Sequence, residues 1–142
     1  MNNNLIKLHA KSFYWASFFL SKKIFLKSSS LYNFCRTLDD IVDGPEDLNL
    51  KKQKFLQFKN DFINKNFNNK IIQEMWDIMK SEYISKIIVL DLFDGVETDL
   101  KEKVILNNKK DLMMYSYRVA GTVGLMMSKI LKVEGKNALR GA

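Results

Sequence analysis

The sequence predicts an all-α protein, a bundle of helices around one hydrophobic core. Proline occurs once and glycine six times in 142 residues, so long helices are allowed almost everywhere and the turn signals of a β-sheet are scarce. Apolar residues recur at steps of three and four along most of the chain, the spacing that gives a helix one apolar face. A chain of this length holds a single core, so residues 1–142 are treated as one domain.

Three helices are predicted in the first half of the chain. Residues 5–20 carry apolar side chains on most sides, as does a helix that packs on several faces. Residues 22–43 show a clean apolar stripe, and a Gly-Pro pair directly afterwards ends the run. Residues 50–67 place Leu, Ile and Phe at helical spacing until an Asn-Asn pair breaks the pattern.

Three more helices are predicted in the second half. Residues 70–81 and 84–100 are both helical in pattern, with a bend between them, and residues 109–131 form the last long helix. We predict no linker between these helices, so the connections are short. The last helix has one inward stripe, formed by Leu112, Tyr115, Val119, Val123, Met126 and Ile130.

Composition excludes several classes of site. Cys35 is the only cysteine and His9 the only histidine, so neither an internal disulfide nor a zinc site of His and Cys ligands can form. Any bound metal must therefore be held by oxygen ligands. No apolar stretch approaches the ~20 residues that span a bilayer, and the N-terminus lacks the apolar core of a signal peptide. We expect a cytoplasmic protein.

The net charge of +7 leaves several partners open. It could serve nucleic acid, an anionic membrane or a phosphorylated substrate, or simply reflect a bias toward Lys and Asn. The lysines are scattered singly or in pairs, so no concentrated basic face is present and we expect no nucleic-acid partner. Helices rich in Lys and Phe allow peripheral association with a membrane surface.

The segment CRTLDDIVDG, residues 35–44, gathers acidic side chains at the end of a helix. At 100° per residue, Arg36, Asp39, Asp40 and Asp43 share one face, opposite the apolar stripe. Carboxylates four residues apart repel each other, and the macrodipole disfavours negative charge in the last turn of a helix. Either the face is merely solvated, or its carboxylates bind a divalent cation such as Mg²⁺.

Four segments together resemble a known family. HAKSF (9–13), LYNFCRTLDDIVD (31–43), DLFDGVETDL (91–100) and YSYRVAGTVGL (115–125) are similar, in order and spacing, to the successive motifs of the squalene and phytoene synthases. These enzymes are the head-to-head prenyl transferases, and the chain most resembles their bacterial phytoene synthases. The resemblance covers nearly the whole chain and implies an all-α bundle of the isoprenoid synthase type.

The resemblance also implies roles for individual residues. The first aspartate-rich helix of the family binds Mg²⁺, or Mn²⁺ in its place, and through it the substrate diphosphate. Other side chains contact the diphosphate, and a tyrosine lies near the reacting centre. These roles fall on Asp39 and Asp43 as metal ligands, on His9, Lys11, Ser12, Tyr32, Arg36 and Asp40 as substrate-binding residues, and on Tyr115 and Arg36 as catalytic residues.

Two further sets of residues are candidates for the surroundings of the pocket. Phe13, Tyr14, Phe34 and Tyr115 could form apolar, aromatic walls that exclude water from a carbocation. Asp91, Asp94 and Glu97 look like a second metal set, but we interpret them as helix surface or as the rim of the pocket. Gly121 and Gly124 would let a neighbouring helix or a prenyl chain approach closely.

The implied reaction joins two prenyl diphosphates through a cyclopropylcarbinyl diphosphate, with geranylgeranyl diphosphate giving phytoene through prephytoene diphosphate. The alternatives are a squalene- or dehydrosqualene-type synthase that uses farnesyl diphosphate, with NADPH only for squalene, and a non-catalytic helical scaffold or assembly protein. The family fold is roughly twice as long, and its second aspartate-rich helix should follow residue 131. No such motif occurs in residues 132–142, so we expect the N-terminal half of a longer helical fold, inactive by itself.

Overall fold

The computed structural model describes residues 20–100 and 109–140, and the side chains of residues 20–100 and 109–131. This part of the chain is helical, with no strand. The elements are α1 (Lys22–Asp43), α2 (Leu48–Ile63), α3 (Lys70–Ser81), α4 (Lys86–Thr98), α5 (Lys109–Ser116), a π-helical segment (Tyr117–Gly121) and α6 (Thr122–Arg140). The all-α class predicted from the sequence is confirmed.

The predicted helix bounds agree closely with those observed. α1 and α3 match the predicted 22–43 and 70–81, and the predicted helix at 5–20 lies outside the described residues, except for Leu20. The second observed helix ends at Ile63 rather than at residue 67. It ends early because Lys65 adopts a left-handed conformation (φ 54°), which allows the Asn66 N–H to donate to the carbonyl oxygen of Asp61 at 2.9 Å.

Side-chain caps explain where four helices begin. The residue before each helix accepts a hydrogen bond from a backbone N–H in the first turn, which satisfies a donor that has no partner within the helix. The capping residues are Ser21, Asp47, Asn69 and Ser85, which accept from the N–H groups of Ile24, Leu50, Ile71 and Ile87 respectively.

The core is built around an aromatic cluster on α1, α2 and α4. Phe34 is fully buried, and its ring centroid lies 5.3 Å from that of Phe58, 5.8 Å from Phe62 and 5.7 Å from Phe93. Phe62 also stacks on Trp76 of α3 at 4.9 Å, and the Trp76 indole N–H donates to the Phe62 carbonyl oxygen at 2.9 Å. This cluster fixes the mutual positions of α1–α4.

The C-terminal helices pack on both α1 and α4. α6 contacts α1 and α4, and the π-helical segment contacts α4. Gly95 of α4 allows this approach: a Cβ atom there would lie 2.7 Å from the Arg118 Cβ atom and 2.9 Å from a methyl carbon of Val119. α1 and the last helical run, which consists of α5, the π-helical segment and α6, thus belong to the same packed unit.

Each helix in the described part of the chain is either too short or too polar to span a bilayer.

Candidate functional site

The three carboxylates at the acidic end of α1 differ in their exposure to solvent. Asp40 and Asp43 are exposed, whereas Asp39 is only 2% exposed. The prediction that Asp39 shares an exposed polar face with Asp40 and Asp43 is therefore wrong. The helices packed around α1 cover a wider part of its surface than the apolar stripe alone indicates. The helix buries one of its three aspartates beside Leu38 and Val42, which belong to the core.

Burial leaves Asp39 in an unusual electrostatic state. Its Oδ1 atom is fully enclosed and has no hydrogen-bond partner among the described residues. The pKa of Asp39 is raised to about 7. The main cause is desolvation, and a hydrogen bond with the Asp43 carboxyl group and the negative charge of Asp43 add to it. The Cys35 thiol, one turn earlier, has its pKa raised to about 12 by burial and by the Asp39 charge. The Oδ1 atom of Asp39 is therefore available to coordinate a cation.

The donors at this end of α1 fit Mg²⁺. Mg²⁺ prefers carboxylate oxygens and is commonly held by one or two carboxylates, with waters and substrate phosphates completing its shell. Asp39 and Asp43 supply two carboxylates one turn apart, and the buried, partnerless Asp39 oxygen is the kind of atom that a cation would satisfy. Within residues 20–100 and 109–131, no group of three or more His, Cys, Asp or Glu side chains is placed to hold a metal.

The predicted diphosphate-binding residues of α1 lie on its solvent side. Arg36 Nη1 donates to the Tyr32 hydroxyl oxygen at 3.3 Å, and its Nε lies 3.9 Å from an Asp40 carboxylate oxygen. The Arg36 and Asp40 side chains are 58% and 70% exposed. Both contacts join residues four apart, so they align the guanidinium along the helix while leaving it accessible to an anion.

Tyr115 comes close to this acidic end from the last helical run. It is half-buried, and burial together with the Asp43 charge raises the pKa of its phenol. Its hydroxyl group donates to Asp99 Oδ1 at 2.7 Å. Tyr115 is thus close enough to Asp43 to feel its charge. Its hydrogen bond to Asp99 was missed by sequence reasoning, because only the tertiary fold pairs the two residues.

The inward stripe of the last helix is confirmed apart from its first member. Val119, Met126 and Ile130 are buried, while Leu112 is 50% exposed. Sequence reasoning also missed the π-helical segment, in which the Thr122 N–H donates to the Tyr117 carbonyl oxygen, five residues back. A π-segment is common at functional sites. The only signal for it was the YRVAG stretch itself, whose residue types fit an α-helix equally well.

Several other predicted positions are corrected or lie elsewhere. Phe34 is enclosed by the rings of the aromatic core, so it is not a wall of an open pocket. Gly121 faces the Tyr117 ring of its own turn, and a Cβ atom added at Gly124 would have no described atom within 4 Å. The predicted substrate-binding residues and wall candidates near the N-terminus lie outside the described residues; they are His9, Lys11, Ser12, Phe13 and Tyr14.

The acidic face of α4 forms the rim of a groove. Asp94 and Glu97 line a depression of about 640 Å³ together with Lys52 of α2 and Arg118 of the π-helical segment. Lys59 Nζ also lies 3.8 Å from Asp94 Oδ1. The surroundings of these carboxylates are therefore basic, which agrees with their interpretation as a pocket rim.

The described residues form an all-α bundle in which one helix end carries a carboxylate pair and an arginine. The model of the squalene/phytoene synthase family matches residues 6–142, and the chain belongs to this family. The resemblance given by the four sequence motifs is confirmed.

The curated relatives it matches are phytoene synthases. Phytoene synthase 1, chloroplastic, of Zea mays is 30% identical over 130 residues, which are 88% of this chain and 31% of the relative. Phytoene synthase 2, chloroplastic, of Solanum lycopersicum is 30% identical over 130 residues, 88% of this chain and 41% of the relative. The bifunctional lycopene cyclase/phytoene synthase of Pyrenophora tritici-repentis is 29% identical over 146 residues, 90% of this chain and 25% of the relative.

The chain thus spans less than half the length of these relatives. No solved structure matches it significantly.

Proposed function

We propose that this chain carries the diphosphate-binding carboxylates of a head-to-head prenyl transferase that makes phytoene from two molecules of geranylgeranyl diphosphate. The observation that carries the proposal is the buried Asp39 carboxyl group, which is hydrogen-bonded to Asp43 and, in the described part of the chain, has no partner for its Oδ1 atom. A structural aspartate would gain nothing from this environment, since burial without a partner is costly. The names of the relatives favour phytoene over squalene as the product.

Asp39 and Asp43 would hold Mg²⁺, which would neutralise charge on the diphosphate leaving group. Arg36 would bind diphosphate oxygens through its planar fork, with Tyr32 and Asp40 aligning it along the helix. The half-buried Tyr115 hydroxyl oxygen would face the carbocation that remains after the carbon–oxygen bond breaks. The two substrates would lose two diphosphates and two protons in total, and no reductant is consumed.

Calorimetric titration with geranylgeranyl S-thiolodiphosphate, an analogue that does not ionise, tests the proposal. We expect binding in Mg²⁺ that is abolished by a chelator, and an affinity weakened about tenfold or more by Asp39→Asn or Asp43→Asn, since each removes a charged ligand. Asp77→Asn, an exposed aspartate on α3, is the matched control and should bind normally. Binding that is indifferent to Mg²⁺ and to both α1 substitutions would refute the proposal.

We propose further that the start of the last helical run contacts a membrane surface that receives the apolar product. Lys109 and Lys110 stand beside Met113, Met114 and Tyr117 around a largely apolar hollow of about 680 Å³. Basic and apolar side chains in this arrangement suit an anionic bilayer. We expect co-sedimentation with vesicles rich in anionic lipid, weakened by Lys109→Glu with Lys110→Glu.

The control for this experiment reverses a second exposed basic pair, Lys22 and Lys23 at the start of α1. Equal loss of binding in both double variants would show that net charge alone is responsible.

A further inference from the structure

The Tyr115 hydroxyl group is bound to a carboxylate at the end of α4. Asp99 directly follows α4 as its C-cap residue, and its own N–H donates to the Val96 carbonyl oxygen at 3.0 Å. Its carboxylate is thus attached to the end of a packed helix. Tyr115 Oη donates to Asp99 Oδ1 at 2.7 Å, a distance typical of a strong bond to a charged acceptor.

Among the described residues, few packing contacts fix the position of Tyr115. No residue of α5 is buried, and its large apolar side chains Leu112, Met113 and Met114 are 50%, 62% and 44% exposed. The described part of the chain therefore packs only weakly on this helix. The hydrogen bond to Asp99 is the contact that ties the Tyr115 ring to the end of α4.

In this hydrogen bond the Tyr115 hydroxyl group is the donor, and this determines which atoms it can offer to a ligand. A phenol has one proton and two acceptor lone pairs, so a hydroxyl group that donates to a carboxylate presents only lone pairs to its surroundings. Such an oxygen is arranged to stabilise positive charge without reorganising. Near Asp43 and the proposed diphosphate site, positive charge is what the reaction would generate after the leaving group departs.

We propose that Asp99 is a positioning residue that holds the Tyr115 hydroxyl group in place and turns its oxygen lone pairs toward the reacting carbon. This inference rests on the proposed prenyl transferase function. Asp99 itself does not contact the substrate; it acts through Tyr115.

The structure provides a matched control on the same two elements. Tyr117 donates to Asp91 Oδ2 at 3.4 Å, again from the last helical run to an aspartate of α4, but its side chain is exposed at 45%. The longer distance and greater exposure make this bond the weaker of the two. Asp91→Ala therefore removes a similar contact from the same interface without affecting Tyr115.

The test compares two ligands that differ in charge at the reacting carbon. One is geranylgeranyl S-thiolodiphosphate, and the other is an analogue of the same length with an ammonium group in place of the cationic carbon, each titrated with Mg²⁺ into the 142-residue chain. The measured quantity is the ratio of the two dissociation constants. We expect Tyr115→Phe and Asp99→Ala each to reduce the preference for the ammonium analogue about tenfold, while thiolodiphosphate binding stays within about twofold.

Two further variants separate positioning from direct electrostatics. Asp99→Asn keeps an acceptor oxygen and loses the charge, so we expect most of the preference to remain. Adding Asp99→Ala to Tyr115→Phe should produce no further loss, because the two residues act as one unit. Asp91→Ala should show the same ratio of dissociation constants as the unaltered chain.

The outcomes separate this inference from the proposed function. If the unaltered chain binds neither ligand, the proposed function fails and the inference fails with it. If both ligands bind but Asp99→Ala matches Asp91→Ala, or Asp99→Ala weakens the preference further in the Tyr115→Phe background, the positioning role alone is overturned. An Asp99→Asn variant as impaired as Asp99→Ala would also contradict it, since the charge would then act directly.

Discussion

At the scale of single residues, the proposed cation site depends on one buried carboxyl group. Asp39 has its pKa raised to about 7 by burial and by Asp43, so in the absence of a cation it takes up a proton near neutral pH. Binding Mg²⁺ requires the ionised form, so cation binding releases that proton. Under the proposed function, Asp39 would thereby link proton uptake, cation binding and the stability of α1.

The stability of the metal-free chain should depend on pH. Because the folded pKa of Asp39 lies above its value in the unfolded chain, the folded state binds more protons between about pH 4 and about pH 7. The free energy of unfolding should therefore fall as pH rises through this window, at most by about 1.4 kcal/mol for each pH unit. Denaturant unfolding at a series of pH values measures this slope.

Asp39→Asn should remove the slope and make the metal-free chain more stable than the unaltered one at about pH 8, where the buried carboxylate is charged. Asp77→Asn, at an exposed position, should keep the slope. An identical slope in Asp39→Asn would show that another group is responsible.

At the scale of secondary structure, two backbone positions decide how helices end and approach each other. Tyr83 follows α3 in a left-handed conformation (φ 55°), which lets the Ile84 N–H donate to the Met79 carbonyl oxygen at 2.9 Å. Glycine usually occupies such a position, because a side chain there costs free energy. Gly95, by contrast, keeps α4 free of a side chain where the π-helical segment crosses it.

Replacing Tyr83 by glycine should stabilise the fold. The Tyr83 side chain is 87% exposed and contributes little packing, so relief of the left-handed strain should add about 1 kcal/mol to the free energy of unfolding. Tyr83→Ala also deletes the ring but retains a Cβ atom, so it should give no such gain. Thermal or urea unfolding of both variants measures the difference, and equal stability of the two would contradict the explanation.

Gly95→Ala should lower the free energy of unfolding. The added methyl group would meet the Arg118 Cβ atom at 2.7 Å, so α4 and the π-helical segment must separate, at a cost of about 1–3 kcal/mol. An alanine at Ser85, the exposed cap of the same helix, is the comparison and should cost only about 1 kcal/mol. A neutral effect of Gly95→Ala on unfolding would mean that this contact is looser than described.

The sequence predicted helices better than it predicted burial. Periodicity, the Gly-Pro pair after residue 43 and the Asn-Asn pair before residue 70 located α1 and α3 to the residue, because these signals are local. The burial of Asp39 and the enclosure of Phe34 depend on which helices surround α1, and a helical wheel contains no such information. The bond between Tyr115 and Asp99 joins residues sixteen apart across the α4–α5 connection, so it too required the tertiary fold.

At the scale of the whole molecule, one buried ion pair joins the start of the bundle to its middle. Lys27 of α1 forms a salt bridge with Glu82, which follows α3, and the Glu82 side chain is only 1% exposed. The other Glu82 oxygen and the Ser28 hydroxyl oxygen are enclosed, and neither has a hydrogen-bond partner within the residues that the structure describes. Lys27 therefore supplies the positive charge that compensates this carboxylate, and the Ser81 hydroxyl group donates a longer hydrogen bond to it at 3.4 Å.

Lys27→Met should destabilise the chain by about 3–5 kcal/mol, because it leaves a buried charge unpaired. Adding Glu82→Gln should recover much of that loss by removing the charge. Lys129→Met is the matched control: Lys129 donates to the Tyr83 carbonyl oxygen at 3.1 Å from α6, an exposed contact worth about 1 kcal/mol. Equal effects of the two lysine substitutions on chemical unfolding would contradict this view of Glu82.

The central claim is that Asp39 and Asp43 together hold a divalent cation, and the most direct test is to locate the cation. Mn²⁺, which we expect to replace Mg²⁺, broadens the nuclear magnetic resonance signals of groups close to it. With inorganic diphosphate present, small additions of Mn²⁺ should broaden the side-chain signals of Asp39 and Asp43 first and leave Asp61 and Asp77 sharp. If Asp94 and Glu97 broaden first instead, the cation binds at the groove on α4 and the account of α1 is wrong.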